Sequence, residues 1–145
     1  MIGLLQRVSE ASVAVDGDTI GAIGEGLMVL VAVHREDTDK DIVRLAERIL
    51  GYRVFPDAEG RMNLSVADID GGLLLVPQFT LAADTKKGTR ASFTKAAEPA
   101  VGEEYFKCLV DLCRKRHKIV ETGKFGANMQ VQLINDGPVT FWLET

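Results

Sequence analysis

The stretch MQVQLINDGPVTFWLE, from Met129 to Glu144, decides how the end of the chain folds. Apolar and polar residues alternate in MQVQLIN and again in VTFWLE, which predicts two half-exposed β-strands. Asp136-Gly137-Pro138 separates the two runs. Asp-Gly-Pro is typical of a turn, but the Gly-Pro peptide is also a candidate contact to a ligand or a partner, and periodicity leaves both open.

The remaining strands are shorter and more apolar, and Asp-Gly or Gly-rich turns separate several of them. LMVLVAV (Leu27 to Val33) and LLLV (Leu73 to Val76) predict strands that are buried on both faces. The other predicted strands are IGLLQRV (Ile2 to Val8), ASVAV (Ala11 to Val15), Ile20 to Ile23 and YRVF (Tyr52 to Phe55).

Two helices are predicted. The first follows a cap at Asp37 or Thr38 and ends at Gly51, where a left-handed residue is favoured; its apolar stripe is Ile42, Leu45, Ala46 and Ile49. The second runs from about Gly102 to Arg116. Strands outnumber helices, which indicates an α+β fold with a mostly antiparallel sheet.

The bulk properties describe one soluble globular domain, residues 1–145, with 46% hydrophobic and 26% charged residues. No apolar run is long enough to cross a bilayer, and the start lacks the basic region of a signal peptide. Cys108 and Cys113 lie five apart in one helix and point away from each other, so we expect reduced thiols in a cytoplasmic protein. A net charge of −4 argues against binding nucleic acid by bulk charge.

Common catalytic motifs are missing. The chain has two histidines, His34 and His117, and no CxxC, which disfavours a closed metal site. No GxSxG is present, and His34 is interpreted as a surface loop residue. GAIGEG, residues 21–26, lacks the Lys-Ser/Thr of a phosphate loop and is better explained as a β-turn.

Two basic groups are candidates for phosphate contact. Lys86, Lys87, Arg90 and Lys95 lie in a small, polar segment, residues 82–100, which predicts a long loop. RKRHK, residues 114–118, ends the second helix, where cations are favoured by the helix dipole alone. A solvated loop and a stabilised helix end therefore stand as alternatives to phosphate binding.

The segment LLLVPQFTLAADT, Leu73 to Thr85, carries the clearest chemical signal. Pro77 cannot donate a ladder hydrogen bond, so Gln78, Phe79 and Thr80 are expected where regular pairing stops. Main-chain N–H groups there would be free for a ligand, and a hydroxyl beside them suits ester chemistry, because a developing oxyanion needs fixed donors. A simple strand-end turn is the alternative.

Four stretches carry a resemblance to a known family: GLLQRV, RMNLSV (61–66), QFTLAADTKKG (78–88) and FGANMQVQLINDGPVTFWLE (125–144). Through them the chain resembles the bacterial D-aminoacyl-tRNA deacylases over its whole length. The resemblance implies a barrel-like core and a homodimer without a metal or organic cofactor. It also implies hydrolysis of the ester between a D-amino acid, or misattached glycine, and the 3′-terminal adenosine of tRNA.

The same resemblance gives a use for Gly137-Pro138. It implies a cis peptide that reaches into the neighbouring subunit's site. There its carbonyls would hold the substrate's α-ammonium and leave no room for an L side chain. Exclusion by shape suits an enzyme that accepts many D-amino acids, because binding differences between side chains alone are small.

The resemblance also implies roles for other residues. Arg7 would brace the Gly-Pro segment, Gln78, Phe79 and Thr80 would line the site of the adenosine and the ester, and Met129 would lie beside the adenosine. Lys86, Lys87 and Arg90 are the best candidates for contact with tRNA phosphates.

Thr80 is the family's proposed nucleophile, but its hydroxyl needs a base, and no histidine motif supplies one. We therefore favour attack by a positioned water helped by the 2′-hydroxyl of the tRNA, with Thr80 as an orienting group.

Two positions depart from the family pattern. Pro77 stands where the family usually has Ser, and Asn128 where it usually has Asp. A scheme that relies on that serine is in doubt here. The alternative functions are a non-catalytic nucleic-acid-binding dimer on the same fold, with Pro77 marking a decayed site, and a hydrolase of another ester, such as an L-aminoacyl ester.

Overall fold

The computed structural model describes residues 1–145 and has eight strands, two α-helices and one short 3-10 helix. The helices are α1 (Asp39–Gly51) and α2 (Pro99–Arg116), and the 3-10 helix is Phe79–Ala82. The strands are β1 (Ile2–Val15), β2 (Asp18–Ile23), β3 (Gly26–Ala32), β4 (Phe55–Pro56), β5 (Met62–Leu64), β6 (Gly72–Pro77), β7 (Val120–Thr122) and β8 (Gln130–Glu144).

Six strands form one mixed sheet in the order β2-β1-β3-β6-β7, with β8 pairing to β1. β1 is antiparallel to β2, β3 and β8, whereas β3 with β6 and β6 with β7 are parallel. The first half of β1 pairs with β3 and the second half with β2, while β8 follows both halves. The sheet thereby curls into a nearly closed barrel, and the predicted α+β fold with a mostly antiparallel, barrel-like sheet is confirmed.

The apolar core lies on both sides of this sheet. The larger cluster packs α1 and α2 against one face, and the predicted stripe of α1 is buried there in full. A smaller cluster fills the inside of the curl between β1, β2, β3 and β6; it consists of Val8, Ala11, Val13, Ile23, Met28, Leu74 and Val76. Because every main strand contributes to a buried cluster, the sheet is held rigidly beneath the loops that it carries.

The local sequence pattern predicts a break in each of the two long strands, β1 and β8, and the structure has neither break. β1 runs without interruption from Ile2 to Val15, and β8 runs from Gln130 to Glu144 through Asp-Gly-Pro. The two strands pair along nearly their whole length, and the register shifts between Gln6 and Val8 and between Val8 and Glu10. These shifts accommodate the extra residues as a bulge, so a turn signal did not end the strand.

The helix ends differ from the prediction by a few residues. α2 begins at Pro99 rather than Gly102, because proline fits the first helical turn. Gly51 is the last residue of α1 and is not left-handed, since the chain leaves the helix in an extended conformation at Tyr52. Of the predicted strand YRVF only Phe55 is in a strand, and neither β5 nor β7 is predicted from the sequence. No helix has both the length and the apolar character needed to cross a membrane.

One carboxylate, that of Asp41, takes part in the N-terminal cap of α1. The N–H and the hydroxyl of Thr38 both donate to Asp41 Oδ2 at 2.8 Å. The hydroxyl and then the backbone bond lower the pKa of Asp41 from its usual value. Asp41 therefore acts as the partner of the cap that the sequence placed at Thr38.

The two cysteines are free thiols. Cys108 is exposed, and Cys113 is buried between α2 and the sheet, where burial raises the pKa of its thiol to about 12.

Candidate active site

The end of β6 leads directly into the candidate site. Pro77 is the last residue of β6 and lies opposite Val31 in the parallel ladder. The N–H of Gln78 still donates to the carbonyl of Val31 at 2.7 Å, so ladder pairing continues one residue past Pro77 and stops at Gln78. The 3-10 helix begins immediately afterwards, at Phe79.

Two N–H groups remain for a ligand at this point. Within the turn, Leu81 donates to the carbonyl of Gln78 and Ala83 to that of Thr80, both at 3.2 Å. The N–H groups of Phe79 and Thr80 take no part in the hydrogen bonds of the turns, loops and caps, as expected for the first residues of a helix. Two adjacent unpaired donors can stabilise one developing oxyanion.

The hydroxyl of Thr80 is exposed and is held by its neighbour. The side-chain amide of Gln78 donates a short hydrogen bond to Thr80 Oγ1. No histidine or carboxylate bonds this oxygen. A hydroxyl that accepts from an amide and lacks a base is suited to orienting a water or a substrate hydroxyl, and it is poorly activated as a nucleophile.

An apolar cavity of about 250 Å³ opens beside Phe79. The ring of Phe79 is 56% exposed and lies 5.1 Å from the ring of Phe93, centroid to centroid. Across the cavity are the start of α2 and the segment after β7; the lining includes Val31, Pro77, Pro99, Gly102, Phe106, Phe125 and Gly126. Its size and its aromatic wall suit a flat heterocycle such as a nucleobase.

Met129 lies close to Pro77. A Cβ at Gly123 would lie 2.8 Å from Met129 Sδ and 3.2 Å from Pro77 Cδ, so a glycine there lets the two side chains approach. The sulfur accepts from the N–H of Lys124 at 3.3 Å. Met129 is not part of the cavity wall but packs against the cluster inside the barrel, and the neighbouring Asn128 is exposed.

The Gly137-Pro138 peptide is cis and lies in the bulge of β8. Asn135 closes the bulge: its Oδ1 accepts from the N–H of Val139 at 2.7 Å, and its amide donates to Thr140 Oγ1 at 2.9 Å. Gly137 and Pro138 are exposed.

Arg7 holds the bulge from the side. Its Nε donates to the carbonyl of Asp136 at 2.9 Å, and its Nη1 donates to the carbonyl of Val54 at 2.6 Å. Only 14% of the Arg7 side chain is exposed. The guanidinium therefore joins the Gly-Pro segment to Val54, the residue just before β4.

The Gly-Pro segment and the Gln78–Thr80 turn are not brought together within one chain. Neither Gly137 nor Pro138 lines the apolar cavity or the second opening beside Thr80. The candidate residues thus form two separate groups in one chain.

The second opening is a cleft of about 400 Å³ that Thr80 lines. Its lining includes His34, Lys86, Lys95, Trp142 and Glu144. The sequence predicts His34 in a surface loop and Trp142 in a strand, and neither prediction indicates that these residues lie near Thr80. The one feature of the sequence that could have pointed to Trp142 is its place among the exposed residues in the alternating pattern of β8.

The basic residues Lys86, Lys87 and Arg90 are all exposed and form no ion pair within 4.0 Å. Their loop is closed by reciprocal backbone hydrogen bonds between Asp84 and Ser92 at 2.7 and 3.1 Å. By contrast, the cations at the end of α2 are partly used, because Lys118 pairs with Asp70 and Arg116 with Glu47. No three His, Cys, Asp or Glu side chains are grouped as a metal ion would need.

Comparison with known proteins gives a consistent result. The profile of the family described as "D-Tyr-tRNA(Tyr) deacylase" matches residues 4–144. A D-aminoacyl-tRNA deacylase of Thioalkalivibrio sulfidiphilus is 65% identical over 99% of this chain and 97% of its own length. One of Pseudomonas fluorescens is 61% identical over the whole of both chains.

Solved structures extend the comparison. A structure titled "c-Myc DNA Unwinding Element Binding Protein" has a TM-score of 0.96 and 40% identity, and covers 100% of this chain and 99% of its own. A probable eukaryotic D-amino acid tRNA deacylase has a TM-score of 0.85 over 98% of this chain and 97% of its own; at 18% identity it supports the fold alone.

Proposed function

The chain belongs to the D-Tyr-tRNA(Tyr) deacylase family and is a hydrolase of the D-aminoacyl-tRNA ester, and we propose that the Gln78–Thr80 turn is where that ester is cleaved. The observation that carries the proposal is the position of the Phe79 and Thr80 N–H groups at the start of a helix, outside the hydrogen bonds of the turns, loops and caps and beside an aromatic cavity. One domain, residues 1–145, supplies the activity, and its substrate places it in the cytoplasm, where aminoacyl-tRNA is made.

The terminal adenosine binds in the cavity beside Phe79, and Met129 packs behind Pro77 without reaching the cavity itself. This places the 3′-ester at the start of the 3-10 helix. The carbonyl oxygen then accepts from the N–H groups of Phe79 and Thr80, which stabilise negative charge as it develops. Pro77, in place of the family's serine, keeps the cavity wall apolar and has no part in the chemistry.

A water attacks the ester carbonyl, and the bond between that carbon and the 3′-oxygen breaks. The proton released by the water reaches the leaving 3′-oxygen through the neighbouring 2′-hydroxyl of the ribose, so the products are the free D-amino acid and tRNA. Thr80, fixed by Gln78, orients the reacting groups. Orientation and oxyanion donors together can supply a large part of a hydrolytic rate enhancement.

Chiral selection requires a second copy of the chain. The bulge at Gly137-Pro138 is exposed, is braced by Arg7 and does not line the cavity of its own chain. In a homodimer the bulge of one subunit enters the other subunit's site, where its carbonyls receive the α-ammonium and its backbone blocks an L side chain. Glycine has no side chain to block, so misattached glycine is also removed.

The 3′ end of tRNA is the main contact with nucleic acid. Lys86, Lys87 and Arg90 have no partner among the acidic side chains and are free to approach phosphates. A small footprint of this kind agrees with a net charge of −4.

A time course of deacylation with D-Tyr-tRNA and L-Tyr-tRNA, in the presence of a chelator, tests the function. We expect rapid loss of the D-ester alone. Loss of the L-ester as well would reject the chiral role, and loss of neither would reject the proposed site. The alternative of a non-catalytic binding dimer lacks support, because relatives at 61–65% identity are named as deacylases.

A further inference from the structure

Trp142 is a large apolar side chain in a place that the ester reaction does not use. Trp142 is 49% exposed, whereas its neighbour Leu143 is fully buried. The ring shares a cleft of about 400 Å³ with Thr80, the residue at the reacting ester. An exposed tryptophan next to a reaction site is a candidate platform for a flat ligand.

The ring is held in one orientation. Its Nε1 donates to Glu144 Oε2 at 3.2 Å, and Glu144 lies on the same face of β8, two residues further on. Trp142 itself lies opposite Leu4 in the ladder with β1, so its backbone is fixed by the sheet. A preorganised ring loses little conformational entropy when a ligand stacks on it.

The cleft is brought next to the catalytic turn by a small buried cluster. Ile2, Ala32, Ala82 and Ala96 pack together beneath it, joining the start of β1, the end of β3 and the 3-10 helix. The cleft is therefore continuous with the Gln78–Thr80 turn and is not a separate depression of the surface.

The charges of the cleft suit a phosphodiester. Lys86 and Lys95 both line it, and neither forms an ion pair. Its two carboxylates stay charged, but each points its oxygen at a neutral donor: Asp84 accepts from the N–H of Lys86 at 3.0 Å, and Glu144 accepts from the indole. Aromatic side chains combined with cations are the usual means of holding single-stranded nucleic acid.

We propose that this cleft binds the nucleotide preceding the terminal adenosine of the tRNA, with its base stacked on Trp142 and its phosphates near Lys86 and Lys95. The inference rests on the proposed function, because it needs the adenosine in the cavity beside Phe79. It adds a second nucleotide subsite, so the enzyme holds the single-stranded end at two positions across the ester.

Fluorescence tests the stacking without requiring activity. Trp142 is the single tryptophan of the chain, so emission reports this ring alone. The native protein is titrated with the trinucleotide CpCpA and, separately, with adenosine. We expect CpCpA to quench the emission strongly and saturably, and adenosine to quench it much less. Equal quenching by both would overturn the proposal, as would emission unchanged by CpCpA, the result expected if a second subunit covers the ring.

Kinetics give an independent test. The substrates are D-tyrosyl-CpCpA and D-tyrosyl-adenosine, and the measured quantity is the ratio of their kcat/KM values. For Trp142→Leu we expect this ratio to fall about tenfold, the size of a lost stacking contact. Trp142→Phe keeps an aromatic face and is expected to retain most of the ratio.

The two hypotheses fail in different ways. Equal losses on both substrates in Trp142→Leu would assign the ring to the folding of the ester site and reject the subsite. If the native enzyme hydrolyses neither substrate, the proposed function fails, and the CpCpA titration alone then decides whether Trp142 binds the nucleotide.

Discussion

Arg7 Nε lies 2.9 Å from the carbonyl oxygen of Asp136, the residue immediately before Gly137, and the same guanidinium reaches the carbonyl of Val54. Arg7→Met removes both bonds and leaves two carbonyls without their donor. We expect a loss of about 2 kcal/mol in the free energy of unfolding, and a fall of at least about tenfold in kcat/KM for D-Tyr-tRNA. Urea unfolding and deacylation measure the two effects.

Arg48→Met is the matched control. Arg48 also donates to a carbonyl of β8, that of Glu144 at 3.0 Å, but far from the Gly-Pro bulge. This variant is expected to retain its kcat/KM. If Arg48→Met and Arg7→Met reduced activity equally, bracing of the bulge would not be the role of Arg7.

Gly137→Ala tests whether the bulge tolerates a side chain. Gly137 has a φ of 144°, and an added Cβ would lie 2.6 Å from Val139 Cγ2 and 2.9 Å from the N–H nitrogen of Val139. We expect destabilisation of about 1–3 kcal/mol and nearly complete loss of D-Tyr-tRNA deacylation.

Gly60→Ala is the control that separates the cost of a positive φ from the cost of a steric clash. Gly60 also has a positive φ, 77°, but an added Cβ would meet nothing within 4 Å. Its cost should be about 1 kcal/mol with activity kept. Full activity in Gly137→Ala would show that the bulge can move without harm to the reaction.

Thr80→Ala removes the hydroxyl that Gln78 holds. If Thr80 orients a water or the 2′-hydroxyl, kcat should fall about 10- to 100-fold and still be measurable. Loss of a covalent nucleophile would instead cost about 10⁴-fold or more. Single-turnover deacylation distinguishes the two, and Thr80→Ser, which keeps the hydroxyl, is expected to remain close to the native rate.

The loop cations are tested through salt. Replacing Lys86, Lys87 and Arg90 together by Gln removes three candidate phosphate contacts. We expect the slope of log Kd for tRNA against log salt to become shallower by about 2, since each single-strand contact contributes roughly 0.7. Three exposed cations of the helices, Lys40, Arg44 and Lys107, replaced in the same way, should leave the slope unchanged within error.

The cap of α1 makes a prediction about acid stability. Hydrogen bonds from Thr38 lower the pKa of Asp41, so the unfolded chain binds the proton more readily than the native one. The stabilisation is present above about pH 4, the unfolded value, and is lost as the pH falls through the lower native pKa. Asp41→Ala should cost about 1 kcal/mol at pH 7 and progressively less below pH 4.

Asp39→Ala is the control for this effect. Asp39 lies in the same first turn but makes no bond to Thr38. Thermal unfolding from pH 2 to 7 compares the variants. A difference between native protein and Asp41→Ala that is constant over this range would contradict the linkage.

Local sequence was a good guide where one element buries one face. The stripe of Ile42, Leu45, Ala46 and Ile49 predicted α1, because helical spacing alone determines which side chains meet the sheet. It was a poor guide to where β1 and β8 end. Their long mutual ladder absorbs the bulge at Asp-Gly-Pro, and that pairing joins residues more than 100 positions apart.

In the candidate site, too, local features were predictable from the sequence and long-range contacts were not. Pro77 marked the end of a strand correctly to within one residue, since the cause is a missing N–H in the residue itself. The approach of His34 and Trp142 to Thr80 was not predictable, because it depends on how β1, β3 and the 3-10 helix pack together.

β8 is paired with β1 on both sides of the Gly-Pro bulge, from Gln130 to Asn135 and from Thr140 to Glu144. A segment anchored at both ends in this way cannot swing as a flap does. Its displacement requires the flanking ladder bonds to open, so the amide hydrogen of Val139, which bonds to Asn135 Oδ1, should exchange with the slow kinetics of the sheet and not with those of surface loops. Discrimination between mirror-image substrates would then persist for as long as the sheet itself remains folded.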